Sequence, residues 1–111
     1  MVGVMSLNGE KSIIFFISAK EADMRILCSY MTGIPQTELT KNDTEDALCE
    51  LVNMTAGSTK LRLGGSDYVY SFSVPFVMKG QSMSIVAKNK TRVVSKVLGN
   101  GEISLKLKIV Y

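Results

Sequence analysis

Histidine and tryptophan are both absent from the 111 residues, and their absence closes off much of the usual catalytic chemistry. Without imidazole there is no Ser-His-Asp or Cys-His nucleophile, no HExxH zinc site and no histidine acid-base relay. The only two cysteines, Cys28 and Cys49, lack CxxC spacing and cannot complete a four-ligand zinc site by themselves. They read as small buried apolar residues, and with no secretion leader at the start of the sequence the expected compartment is the reducing cytoplasm. Long apolar runs are missing too. The longest is Ile13 to Ile17, far below the roughly 20 residues of a membrane helix, so the chain is not expected to span a membrane. Any catalysis must therefore use carboxylates, amides, hydroxyls, lysines or groups brought by a partner.

The composition is that of an ordinary globular domain, with 46% hydrophobic and 21% charged residues, and a chain of this length is expected to form a single domain over residues 1–111. The net charge of +3 hides an asymmetry. Residues 1–55 hold four Lys/Arg against eight Asp/Glu and residues 56–111 hold nine against two, so the halves carry −4 and +7. Such a split can mark a nucleic-acid surface. Here Lys106 and Lys108 alternate with Leu105, Leu107 and Ile109, and Lys88, Lys90 and Arg92 cluster near a turn, without aromatic residues between them to stack on bases. A solvated sheet face is the expected reading, and nucleic acid is not an expected partner.

Apolar runs over residues 2–7 and 12–17 flank Asn8-Gly9-Glu10-Lys11, the pattern of a tight antiparallel hairpin. Ser18 stands three residues before Glu21, as in a capping box, and Ala22, Ile26, Leu27, Tyr30 and Met31 follow at helical spacing; this predicts a helix over 19–31, stopped by Gly33 and Pro35. Residues 34–42 read as a surface loop. Asp43 or Thr44 is placed to cap a second helix over 44–61 that buries Leu48, Leu51, Val52 and Thr55 and ends at Gly64-Gly65. From Asp67 the period becomes two. Tyr68, Tyr70, Phe72 and Val74 share one strand face, Val69, Ser71 and Ser73 the other, and Pro75 marks a strand end. Residues 82–88 alternate as a further strand with Met83, Ile85 and Ala87 inward. Residues 91–98 and 102–111 form a closing hairpin about Gly99-Asn100-Gly101. The expected class is α+β, an antiparallel or mixed sheet with two main helices packed on one face.

The second helix carries the feature that stability alone does not explain. At roughly 100° per residue, Asp46, Glu50, Asn53 and Gly57 point away from the apolar stripe, which makes Glu50 and Asn53 neighbours on an exposed face. Asn is a mediocre helix former, and Gly costs about 1 kcal/mol relative to Ala within a helix. An idle solvated face tolerates both residues but is not improved by either, and Asp46 is accounted for by the helix dipole.

The segment Ala47-Leu48-Cys49-Glu50-Leu51-Val52-Asn53-Met54-Thr55-Ala56-Gly57 resembles the Glu-x-x-Asn-x-x-x-Gly helix of the CheX/CheC/FliY chemotaxis phosphatases. The early strand ending in Ser6-Leu7-Asn8-Gly9 resembles that family's first strand and turn, and Ser73-Val74-Pro75-Phe76-Val77-Met78-Lys79-Gly80 resembles its strand-Pro-x-x-x-x-Gly segment. The resemblance is closest to CheX. It implies a phosphatase that hydrolyses the aspartyl phosphate of a CheY-like response regulator in chemotaxis or a related two-component pathway. Carried over by motif position, Asn53 orients the attacking water, Glu50 pairs with a lysine of the regulator, and the bare Gly57 lets the partner approach. Phosphoryl transfer depends more on in-line placement and charge stabilisation than on a protein nucleophile, so a chain without histidine suffices. The protein would need no cofactor of its own, and Mg²⁺ would sit on the regulator.

Two departures qualify the resemblance. In Glu21-Ala22-Asp23-Met24 a Met occupies the place where a second Glu-x-x-Asn motif needs Asn, which resembles one-site CheX and not two-site CheC. The family's helical segment before the first strand is also missing from residues 1–111; either it is truncated here or something else covers the surface it would bury, and the homodimerisation through the sheet that the resemblance implies is one way to cover it. The alternative to a phosphatase is a non-catalytic module of the same fold that docks a receiver domain or a flagellar-switch protein.

Overall fold

The computed structural model describes residues 1–9, 11–63, 71–88 and 92–111. In chain order the elements are strands β1 (Val2–Asn8) and β2 (Ile13–Ala19), helix α1 (Glu21–Thr32), a single 3₁₀ turn (Gln36–Glu38), helix α2 (Lys41–Arg62), strands β3 (Ser71–Phe72) and β4 (Phe76–Met78), and the pair β5 (Val93–Gly99) and β6 (Ser104–Val110). The strands form one six-stranded sheet ordered β3-β1-β2-β6-β5, with β4 also paired to β1, and every pairing is antiparallel. The α+β expectation with helices on one face is met, and the described sheet is antiparallel, not mixed.

Both expected hairpins form. β1 and β2 pair from Val2↔Ser18 to Leu7↔Ile13, around a turn in which Glu10 lies outside the described residues. In the closing hairpin Asn100 Oδ1 accepts from the N–H groups of Glu102 (3.0 Å) and Ile103 (3.1 Å), and Gly101 takes a φ of 88°, the left-handed region glycine enters freely. Leu105, Leu107 and Ile109 point toward the helices as expected, partly buried against the core. Lys106 and Lys108 take the opposite face, where Lys106 is exposed while Lys108 is half-buried and donates to the Ile85 carbonyl. Of the expected basic cluster, Lys90 lies outside the described residues, as do Gly64-Gly65 and Tyr68, Val69 and Tyr70.

The expected break at Pro75 separates β3 from β4. Between them Ser73 replaces the ladder, its Oγ accepting from Ser6 N–H at 2.8 Å and its own N–H donating to the Ser6 carbonyl at 2.9 Å. Val74 stands 81% exposed outside any strand, so it shares no strand face with Phe72. Residues 82–88 form no strand. This segment leaves β4 at one side of the sheet and crosses the face opposite the helices toward β5, which is why Lys108 meets Ile85. Its alternation survives as one-sided burial, with Ile85 and Ala87 half-buried and Met83 exposed, because a strap lying on a sheet feels a period of two without joining a ladder.

The core lies between the sheet and the helices. Met5, Leu7, Phe15 and Ile17 meet Met24 and Cys28 of α1 and Ala47, Leu48, Val52 and Ala56 of α2. α2 comes so close to β1 that a Cβ at Gly3 would stand 2.9 Å from Leu48 Cγ; this glycine sets the depth and rotation of α2.

Candidate functional site

α2 is built to start firmly. Thr40 is its N-cap: Thr40 Oγ1 accepts from Asp43 N–H at 3.2 Å while Asp43 Oδ2 accepts from Thr40 N–H at 2.7 Å, a complete capping box. These hydrogen bonds to Thr40 hold the Asp43 carboxyl below its ordinary value. The helix therefore begins three residues earlier than expected, and Asp43 caps from the third helical position. Thr44 is buried inside the helix, its hydroxyl donating to the Lys41 carbonyl at 2.8 Å. Arg25 fixes the approach by donating to the carbonyls of Gln36 (3.0 Å) and Leu39 (2.9 Å), so residues 34–40 are a tethered connection with Leu39 buried and not a free loop.

Helix α1 runs one residue past its expected end and begins two later. Ser18 belongs to β2, and the N-cap is Lys20, without a side-chain capping bond, so the expected capping box does not form. Its buried residues are Met24 and Cys28, with Leu27 packed partly against them; Ala22, Tyr30 and Met31 are exposed, and Tyr30 donates to Glu102 at 3.0 Å. Met24, at the place where a second motif would need Asn, is fully buried. A partner cannot reach it.

The buried side of α2 comprises Thr44, Ala47, Leu48, Val52 and Ala56. Leu51 and Thr55, expected in the core, are only half-buried. The stripe is turned relative to expectation because α2 packs against β1 and β2 on one side and α1 on another, which draws in small residues such as Ala47 and Ala56 where the backbones come close. Burial pushes up the thiols of both Cys28 and half-buried Cys49, and both are free.

The opposite face is open. Asp46, Glu50 and Asn53 are exposed and Gly57 is half-buried. At helical spacing of three, Glu50 and Asn53 have Cβ atoms about 5–6 Å apart. Among the described residues neither side chain has a hydrogen-bond or ion-pair partner, so both are available to another molecule. A Cβ at Gly57 would meet nothing within 4 Å. The structure thus brings the three expected residues onto one accessible strip. It also shows what sequence spacing did not single out: Met54 and Leu61 lie within about 40° of Glu50 around the axis and are both exposed. At the far end of α2, the Lys60 ammonium sits 4.6 Å from the centroid of the Phe72 ring, tying the helix to β3 and leaving Leu61 on the outside. Nearer the start, Glu45 pairs with Lys79 beyond β4, which ties α2 to that side of the sheet.

The chain matches the family model described as chemotaxis phosphatase CheX over residues 1–98. It belongs to the CheX family. Solved structures agree on the fold. A CheX from Vibrio vulnificus superposes with a TM-score of 0.82 at 19% identity, covering 98% of this chain and 73% of that one. CheX from Desulfovibrio desulfuricans gives 0.80 at 18% identity, covering 99% and 73%. The CheX-CheY-BeF3-Mg²⁺ complex from Borrelia burgdorferi gives 0.79 at 15% identity, covering 98% and 73%. At these identities the superpositions establish the shared architecture. No curated protein matches the chain in sequence. Among the described residues no helix is long and apolar enough to cross a membrane, and no three His, Cys, Asp or Glu side chains gather into a metal-binding group.

Proposed function

We propose that this CheX-family phosphatase hydrolyses the aspartyl phosphate of a CheY-type receiver docked on the open face of α2. The observation that carries this reading is the pair Glu50 and Asn53, side by side, exposed and without partners among the described residues, one to two turns from a glycine with nothing within 4 Å of where its Cβ would stand. In the reaction the Asn53 amide holds a water in line with the bond to be broken, and Glu50 accepts a hydrogen bond from a receiver lysine beside the phosphoryl group. The water oxygen bonds to phosphorus as the bond from phosphorus to the aspartyl oxygen breaks. The receiver recovers its carboxylate and both water protons leave with the phosphate. Nothing in this step asks α2 for a nucleophile or a base; its contribution is placement. Mg²⁺, on this reading, is held by the receiver and neutralises the developing charge.

The reading extends to location and assembly. It places the protein in the cytoplasm, where Cys28 and Cys49 remain thiols. It also makes the protein a homodimer through the sheet, supported by β5, a terminal strand in which all seven residues are exposed, including Val93, Val94, Val97 and Leu98.

Substoichiometric protein should accelerate loss of phosphate from a phosphorylated receiver, and Asn53→Ala should lower kcat by on the order of 10²–10³, the scale for removing one positioned polar group. Unchanged turnover in Asn53→Ala would overturn the mechanism. Binding without any acceleration by the wild-type protein would instead make the protein a docking module.

A further inference from the structure

Two large apolar side chains of α2 lie outside the core and inside the strip that carries Glu50 and Asn53: Leu61 is 84% exposed and Met54 56% exposed. They flank Gly57 at three residues before and four after, which places both beside it on the helix surface. The three make a notch with the glycine as floor and Met54 and Leu61 as walls. Among the described residues nothing stands within 4 Å of a Cβ built on the floor. At the Leu61 end, the contact of Lys60 with Phe72 ties the last turn of the helix to β3, with Leu61 left on the outer side.

Single exposed apolar residues are ordinary on any surface. These two differ in being continuous with the candidate reaction centre, on the one face of α2 that neither the sheet nor α1 covers. The strip is also polarised, with Asp46 and Glu50 toward its start and Met54, Gly57 and Leu61 toward its end. A partner that brings a lysine and a phosphoryl group to Glu50 and Asn53 must lay further surface over the notch, about 10 Å along the axis from Glu50 at 1.5 Å per residue.

We propose that Met54, Gly57 and Leu61 form the affinity-determining half of the receiver-docking surface, receiving an apolar side chain of the receiver while Glu50 and Asn53 address its phosphoryl group. This rests on the receiver-phosphatase reading above. Contact at two separated points fixes the receiver's rotation about the Glu50–lysine contact, which a single ion pair cannot do, and in-line attack requires that orientation. The charged end sets which side of a receiver is approached. The notch sets which receiver fits.

The test measures binding of CheY-type receivers of the source organism, activated with Mg²⁺ and beryllofluoride as a mimic of the aspartyl phosphate, to the wild-type protein and to Leu61→Glu and Met54→Glu. Both sites are solvent-exposed, so the fold should be kept, as circular dichroism would verify. Each variant should weaken Kd about tenfold or more, the scale of an interface hot spot. Values within about twofold of wild type for both variants would overturn the proposal. So would a loss of self-association in sedimentation with receiver binding intact, which would assign the notch to a second copy of the chain. The failure of the underlying reading looks different. A wild-type protein that binds no receiver overturns both, whereas one that binds without turnover, with both variants weakened, upholds the docking surface and removes only the phosphatase step.

Discussion

At residue 57 the needs of the helix and of its partner pull in opposite directions. Glycine within a helix costs about 1 kcal/mol against alanine, and a Cβ there would meet nothing within 4 Å. Gly57→Ala should therefore stabilise the isolated protein by up to about 1 kcal/mol, a rise of several degrees in Tm for a domain this size. The same methyl group occupies the floor of the docking strip, so kcat/KM toward a phosphorylated receiver should fall about tenfold, as when an interface anchor loses its seat. Calorimetry and a phosphate-release assay on one variant check both signs, and a more stable variant with undiminished turnover would show the glycine to be idle. Gly3 is the contrasting case, because Leu48 already fills the space its Cβ would take. The exposure of Glu50 and Asn53 was legible in the sequence from helical spacing relative to Leu48, whereas their reading as a site came from the resemblance to the Glu-x-x-Asn-x-x-x-Gly motif and not from spacing. That of Met54 and Leu61 was not legible, since an apolar residue in a helix reads as core until packing shows which side is covered.

At the scale of the element, α2 depends on how it begins. Removing the cap with Thr40→Ala should cost about 1 kcal/mol in denaturant unfolding. The partner carboxylate adds a dependence on pH. The hydrogen bonds with Thr40 depress the folded-state value of Asp43, so its contribution is fully present above its unfolded value near 3.8 and is lost as the pH falls through the lower folded value. Asp43→Asn should thus lower Tm at neutral pH and make progressively less difference as the solution is acidified below pH 3.8; an equal deficit at every pH would mean the carboxylate is not what stabilises the cap. The start of α2 was misplaced in the sequence because Thr40-Lys41-Asn42-Asp43 has loop composition, and only the reciprocal bonds make it a helix turn. Ser18 misled in the opposite sense: its spacing to Glu21 fits a capping box, but pairing with Val2 and Lys106 keeps it in the sheet. Residues 82–88 mimicked a strand for a similar reason, since alternation reports which side is covered and not what lies alongside.

At the scale of the whole molecule, the class and both hairpins could be read from turns and periodicity, while the order of the strands could not, because it depends on which distant segments meet. That order leaves β5 at a border of the sheet. In the proposed dimer two copies of this strand meet across a two-fold axis, so a charge placed there is met by its own copy. Val93→Lys combined with Val97→Lys should shift sedimentation at micromolar concentrations from dimer to monomer, with receiver dephosphorylation per chain retained because α2 lies elsewhere; an unchanged mass would remove β5 from the interface. The opposite border is of another kind. There the described strands β3 and β4 are divided at Ser73 and Pro75, where a serine hydroxyl has taken a position in the ladder. Among the described residues one border of the sheet is a long exposed strand and the other is interrupted, so the proposed dimer would be closed by one strand-to-strand seam, with no second seam of that kind from which a fibre could grow.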